Sequence, residues 1–505
     1  MVANVVNIPA SAIPDFDQLY VISDLHLGGH SGFQIFDSGA TLKALIDHLR
    51  STAPEEKIAL VINGDFIDFL AEMPAKPFDP ARAVEKLERV IGDPAFGAAW
   101  TALKTFAGTT NRFLVITLGN HDLELALPWV RMRLLELLSE NDAATRGRIT
   151  FAFDGSGFFC RVGGAKVLCI HGNEADDWNV TDYESIRRIG RDIVQGRPVD
   201  SWVPNAGSQL VVEVMNQLKR RYPFVDLLKP EVEALLPTLA ALAPGERGRL
   251  RKISSVVGRL GHDKLRRALG FLGAEEEIAQ EPLGTPGGEL DGRSDRRGRI
   301  FVDHVGSGRE AQANAMLEDV EDRLVRDVDP LSLIGDDQRG EYLSYSAAIT
   351  KIFRREDTAE VLREALQSLL EDRSFDWAQE DFTYRVLDEQ IGDATEFVVA
   401  GHTHLERALP RARAPGWYFN SGTWARLIRL EKDVLEDAVK FKEIFDAFGR
   451  GTLADLDSVQ DLILRRLTVV AIWSEGGLTH GELRRAELSP ALVLSPVLNT
   501  RFPRI

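Results

Sequence analysis

Five short apolar runs in this chain each break off in a block of acids, histidines, asparagine and glycine. Tyr20-Val21-Ile22 ends in Ser23-Asp24-Leu25-His26-Leu27-Gly28-Gly29, and Ile58 to Ile62 ends in Asn63-Gly64-Asp65, followed by Asp68. Arg112 to Leu118 ends in Gly119-Asn120-His121-Asp122, Ala165 to Ile170 in His171-Gly172-Asn173-Glu174, and Glu396 to Ala400 in Gly401-His402-Thr403-His404. A continuous apolar run of this length reads as a strand covered on both faces, which requires layers above and below the sheet. Chemistry is then confined to the strand tips, where the carboxyl ends open into a cleft. The fold class expected is therefore α/β. Asp24 and His26 are two residues apart, so a strand continuing to His26 would send both side chains to one side of the pleat. A carboxylate and an imidazole converging there suit a divalent transition metal. One Asp-x-His pair is a weak signal, but five such blocks in series, each at a strand tip, constrain the reading strongly.

The intervals between the blocks set the domain organisation. The chain has 505 residues, more than a single core usually holds. His171 and His402 are 231 positions apart, several times the ~30 residues of an ordinary crossover unit. This predicts a first core segment over 1–174, a mostly α-helical inserted domain over 175–395, and a second core segment over 396–505. Within the insertion, Leu210, Val211, Val214 and Leu218 share one helix face, and Val361, Leu362, Ala365 and Leu369 another. Pro230 begins and Pro237 interrupts a third apolar helix, Asp357 is an expected N-cap, and Glu281 to Arg299 has the composition of a mobile loop. Because the insertion leaves after one histidine block and returns before another, it is expected to act as a lid, the alternative being an oligomerisation or partner-binding domain.

Composition excludes some partners. The formal net charge of −17 argues against nonspecific binding to nucleic acid or anionic membranes, and a phosphate-bearing substrate would need local positive charge such as bound metal. The two cysteines, Cys160 and Cys169, lie in apolar runs and read as reduced core residues. Met1 to Gln18 lacks the basic start and apolar core of a secretory signal, and no stretch has the length and apolarity of a membrane span. A cytoplasmic location is the resulting expectation. Nothing in the sequence speaks to the oligomeric state.

With these blocks in place, the chain resembles the calcineurin-like metallophosphoesterase superfamily over Leu19 to Glu174 and Glu396 to Trp424. The resemblance implies a four-layer αββα sandwich and a dinuclear metal centre. Asp24, His26 and His404 would hold one metal, Asn120, His171 and His402 the second, and Asp65 would bridge them. A shared carboxylate offsets the repulsion between cations about 3.5–4 Å apart. The mixed nitrogen and oxygen donors suit Mn, with Fe, Zn, Ni or Co as alternatives, better than Ca or Mg. A bridging hydroxide would attack phosphorus in line with the leaving oxygen. His121 would act as the general acid, and Asp68 would pair with it and hold its tautomer.

Ser23 to Gly28 and Gly119 to Asp122 resemble the branch with UDP-2,3-diacylglucosamine pyrophosphatase and cyclic-nucleotide phosphodiesterases. The protein phosphatase branch fits less well, because Phe69 follows Asp68 and Asp122 stands where that branch has glutamate. The usual His-Gly-Asp reads His171-Gly172-Asn173 here, a departure from the lipid-pathway enzyme. The expected substrate is thus a small-molecule phosphodiester or phosphoanhydride, with a nuclease, a phosphomonoesterase or a non-catalytic module as alternatives. Gly28-Gly29 and Arg187, Arg188 and Arg191 are lesser candidates for phosphate contact, each equally explained by a turn or a charged helix face. His30, His48, His262, His304 and His480 show no partner pattern.

Overall fold

Strands form where the apolar runs predict them, because β-branched and apolar residues in short uninterrupted series bury both faces of a sheet. The computed structural model describes residues 8–176, 179–199, 202–229, 238, 241–242, 358–367 and 373–503. Two compact units divide the chain, Met1–Leu236 together with Leu369–Ile505, and Pro237–Ser368. In the second unit a helix spans Thr358–Gln367, with Leu362 and Leu366 buried. Pro230, Pro237, Asp357 and the Glu281 to Arg299 segment lie outside the described residues. So does most of the expected insertion, and with it the lid expectation. The described stretches 179–199, 202–229 and 373–395 fall in the first unit. Among the described residues no helix is long and apolar enough to cross a membrane.

The first unit contains two large sheets. Strands β1 to β7 are Asp15–Phe16, Gln18–Ile22, Ile58–Asn63, Arg112–Thr117, Ile149–Ala152, Phe158–Val162 and Ala165–Cys169. Strands β8 to β15 are Phe397–Ala400, Glu406–Pro410, Trp417–Ser421, Leu427–Ile428, Ile463–Leu464, Thr468–Glu475, Leu478–Leu488 and Leu492–Pro496. The seven-stranded sheet runs β15-β14-β13-β2-β3-β4-β5 and the six-stranded sheet β1-β6-β7-β8-β10-β9. β2, β3 and β4 are parallel neighbours, with Ile22 opposite Ile62 and Ile62 opposite Ile116, so three polar blocks emerge side by side. β7 and β8 are likewise parallel, and they deliver His171 and His402 side by side.

Side chains alternate between two cores, as the pleat requires. Val21, Val61, Val115, Val470 and Ile472 of one sheet pack against Cys160, Val167, Val399 and Phe419 of the other. Tyr20, Ile22, Leu60, Ile62 and Ile116 point the opposite way, onto α1 (Gly39–Ser51), α2 (Ala83–Gly92), α3 (Gly97–Gly108) and α4 (Pro128–Ser139). On the far side of the six-stranded sheet, Val398, Ala400 and Tyr418 pack against Tyr384 and Leu387 of the helix Phe382–Gln390. The order is helices, sheet, sheet, helix, the expected αββα layering. Cys160 and Cys169 are free and buried in the inter-sheet core, where desolvation pushes both thiols up.

Phe419 is fully buried between the sheets, stacked near Phe397 and edge-on to Phe502. Phe419→Ala is expected to cost about 3–5 kcal/mol, read as a lowered midpoint in urea unfolding with an unchanged slope.

Candidate metal centre

The strand tips do not deliver their side chains through the pleat. β2 ends at Ile22, and Asp24 and His26 lie beyond it with φ of 53° and 49°. The same-side argument for Asp24 and His26 is therefore corrected: a left-handed loop, not a continued strand, brings them together. Asp65, His402 and His404 share this conformation, with φ of 49°, 69° and 61°. The loop after β2 is paired with the loop after β3 through His26 N to Asp65 O at 2.9 Å and Asp68 N to Leu27 O at 3.0 Å. Phe69 N donates to His121 O at 3.1 Å, which joins the loop after β4.

The seam between the sheets is tied by Asn63, whose amide donates to Ile170 O at 3.0 Å and Val399 O at 3.2 Å. Its own carbonyl accepts from His171 Nδ1 at 2.7 Å. With Nδ1 committed, Nε2 of His171 faces inward, 3.3 Å from Asp65 Oδ2. Asp24 Oδ2 accepts from His402 N at 3.0 Å and from the Ser23 hydroxyl, and its Oδ1 lies 3.3 Å from His404 Nε2. Two glycines allow this crowding because they carry no Cβ. A Cβ on Gly119 would lie 2.2 Å from Asp65 Oδ1, and one on Gly401 would lie 2.7 Å from Asp24 Oδ2.

Three overlapping groups result, each with donor atoms within 4.8 Å of one another: Asp24, His26 and His404; His26, Asp65 and His121; and Asp24, Asp65 and His171. Asp65 belongs to two of these groups, with Oδ2 3.8 Å from His26 Nε2 and 3.3 Å from His171 Nε2. His26 Nε2 and His404 Nε2 are only 3.0 Å apart. Asn120 turns its amide nitrogen toward Asn179 Oδ1 at 3.4 Å. Its Oδ1, together with Asp24 Oδ1 and His171 Nε2, is buried without a hydrogen-bond partner. Buried polar atoms left unpaired are costly, and such atoms on two acceptor oxygens and an imidazole are what a cation would satisfy. His402 stands apart from these groups. Its ring is 5.5 Å from that of His171, and its Nε2 meets Asp176 Oδ2 at 3.0 Å.

Burial and neighbouring charges set the protonation of these groups against one another. Burial opposes the charge on Asp65, yet the imidazoles of His171, His121 and His26 hold it well below the usual carboxylate range. His171 responds in kind: burial disfavours its cation, but Asp65 and Asp24 push it up to about 10. His404 is pulled the other way, to about 4, by burial and by the Lys229 charge, so it is a neutral ring with a lone pair to give. His121 donates from Nδ1 to Asp68 Oδ1 at 3.1 Å, and Asp68 and Asp65 overcome its burial to raise it to about 9.

Residues not assigned from sequence support this arrangement. Asp122 accepts from Gly119 N at 2.7 Å and from Phe66 N at 2.8 Å, joining the β3 and β4 loops. Behind the Asp68 loop, fully buried Lys86 approaches Phe69 O at 3.5 Å and Asp79 Oδ2 at 3.7 Å, while Asp79 N donates to Glu124 Oε1 at 2.8 Å. Of the lesser candidates, Gly29 N donates to Glu72 Oε1 at 3.0 Å. Arg187, Arg188 and Arg191 engage Glu184, Ser185 and Asp192 on an exposed helix. His480 is buried beside Trp473, and His262 and His304 lie outside the described residues.

Compared with known families, the calcineurin-like phosphoesterase model matches residues 18–226. That span contains Asp24, His26, Asp65, Asn120 and His171, while His402 and His404 lie beyond it. No curated protein and no solved structure matches the chain.

Gly119→Ala should bind little divalent cation, because the added methyl would lie 2.2 Å from Asp65 Oδ1 and 2.4 Å from Asp65 N; elemental analysis after dialysis, set beside the melting temperature of the metal-free form, checks this. Glu124 tests the support layer. Burial, only partly offset by Asp79 N and Lys86, raises its carboxyl from 4.5 to about 7. A group whose folded value is raised contributes its stability at low pH and loses it as pH rises through about 7. Glu124→Gln should therefore match or fall below the parent at pH ~4 and exceed it by roughly 3 kcal/mol at pH ~8 in urea titrations.

Proposed function

We propose that this chain is a dinuclear-metal-dependent hydrolase of phosphodiester or phosphoanhydride bonds in small molecules. The observation that carries the reading is the convergence of Asp24, His26, His171 and His404 with Asp65 in overlapping groups, Asp24 Oδ1 and His171 Nε2 being buried without a hydrogen bond, beside the His121–Asp68 pair. Asp24, His26 and His404 would hold one cation, Asn120, His171 and His402 the other, with Asp65 between them and Mn the first candidate. Cations so held would lower the pKa of water toward neutrality and would stabilise charge on phosphoryl oxygens.

The chain's own residues supply the rest. His121 Nδ1 is engaged by Asp68, so its Nε2 is the nitrogen that can give a proton to a departing oxygen. Asp68, buried and ionised, keeps the ring in that tautomer and favours its charged form. The neutral ring of His404 is in the form a metal ligand needs. The spelling of Ser23 to Gly28 and Gly119 to Asp122 supports the pyrophosphatase and cyclic-nucleotide phosphodiesterase branch. The net charge of −17 weighs against a nuclease.

Mn²⁺-loaded protein is expected to hydrolyse members of a panel of cyclic nucleotides, nucleotide-sugar anhydrides and aryl phosphodiesters faster than monoesters. Activity should vanish on chelation and return with Mn²⁺. Exclusive turnover of monoesters, or of DNA, would reject the substrate class. His121→Ala should retain metal and lose about 10²–10⁴-fold in kcat on alkyl esters, with a smaller loss on nitrophenyl esters, whose leaving group needs no proton.

A further inference from the structure

We propose that Asp176 and Asn179 form an outer clamp that decides which atoms His402 and Asn120 present to the second cation; this rests on the dinuclear reading above. His402 Nε2 donates to Asp176 Oδ2 at 3.0 Å, so Nδ1 is left as the ring nitrogen with a lone pair for an ion. The same Oδ2 accepts from Asn179 Nδ2 at 2.7 Å. Asn179 Oδ1 in turn accepts from Asn120 Nδ2 at 3.4 Å, which turns Asn120 Oδ1 inward, where it is buried without a partner. One run of hydrogen bonds thus links a ligand on the β4 loop to a ligand on the β8 loop. A carboxylate on the far nitrogen of a ligating imidazole fixes its tautomer and raises its basicity. An amide pinned through its nitrogen can offer only its oxygen.

The clamp is itself held in place. Asn179 N donates to Asp176 O at 2.9 Å. Its carbonyl accepts from Asn173 Nδ2 at 2.9 Å and from Asn205 Nδ2 at 3.4 Å. Asn173 is fully buried and also donates to Thr181 Oγ1 at 3.2 Å, a role an aspartate at 173 could not fill, having no donor when ionised. Gly207 makes room for the side chain: a Cβ there would lie 2.0 Å from Asn179 Oδ1. Asp176 and Asn179 are positioning residues, acting on the cation through His402 and Asn120.

The test is calorimetric titration of Mn²⁺ into metal-free full-length protein, with the melting temperature of the metal-free form measured alongside. The parent should show two binding events. Asp176→Ala and Asn179→Ala should weaken one event about 10–100-fold and leave the other within roughly twofold, with an unchanged metal-free melting temperature. Gly207→Ala, which touches no proposed ligand, should reproduce the Asn179→Ala result by displacing the amide. Asp176→Asn keeps the shape and the acceptor but removes the charge, so it should fold like the parent and show a smaller loss at the same event. Folded variants with both events at parental affinity would overturn the clamp while leaving the dinuclear reading intact. Equal weakening of both events with a lowered metal-free melting temperature would overturn it in favour of a general structural role. A parent that binds only one ion would bring down the dinuclear reading and the clamp together.

Discussion

Asp24 is the point at which the two sheets are locked at their open edge. Its carboxylate accepts from the His402 amide, its carbonyl accepts from Thr423 Oγ1 at 2.8 Å and Trp424 N at 3.2 Å, and its amide donates to Gly64 O at 3.2 Å. These partners come from segments nearly 400 positions apart in the chain, and they fix the β2, β3, β8 and β10 tips against one another. The second carboxylate oxygen is left to face the cluster. A fully buried acid is tolerated only where charge and hydrogen bonds compensate desolvation. The rest of the site, from the imidazoles to the Ser23–Ser421 hydroxyl pair at 2.7 Å, is arranged to meet that requirement.

The same crowding explains where backbone strain is stored. Of the eleven described non-glycine residues with positive φ, five are Asp24, His26, Asp65, His402 and His404. Each such conformation costs on the order of 1–3 kcal/mol and persists only where surrounding structure determines it. Here the determinants are the loop pairings among the β2, β3 and β4 tips and the Asn420 amide, which donates to Gly401 O at 2.7 Å and to Thr403 Oγ1 at 3.1 Å. Donors held this way need little reorganisation when a charge arrives, which is the condition for electrostatic stabilisation of a transition state. Helix and sheet burial elsewhere supplies the stability that this arrangement consumes.

Much of this was legible in the chain. Buried strands over Tyr20 to Ile22, Ile58 to Ile62 and Arg112 to Thr117 follow from uninterrupted apolar runs, since such a run has no solvent face to offer. The polar blocks at their ends could be recognised because acids and histidines are out of place directly after a core strand. By contrast, β14 mixes glycine, charged and apolar residues, and β15 is a five-residue edge strand ending in Ser495-Pro496, so neither offers the uninterrupted apolar run that marks a core strand. The pleat argument for Asp24 and His26 failed for a related reason: strand periodicity says nothing about where a left-handed turn will interrupt it.

Residue type and order determined by themselves that the chain would build a covered sheet with carboxylates, imidazoles and an amide at its tips. Only the tertiary structure decided which atoms of those groups face one another. Asn63 reads as one more polar residue at a strand end, yet in the fold it bridges two sheets and turns His171 Nε2 inward. Asp176 and Asn179 carry no motif at all, and their bearing on His402 and Asn120 arises because segments distant in sequence close on one another. Sequence pattern encodes burial, which is local and periodic. The orientation of a ring nitrogen or an amide oxygen depends on single hydrogen bonds between elements, and those exist only once the sheets have packed.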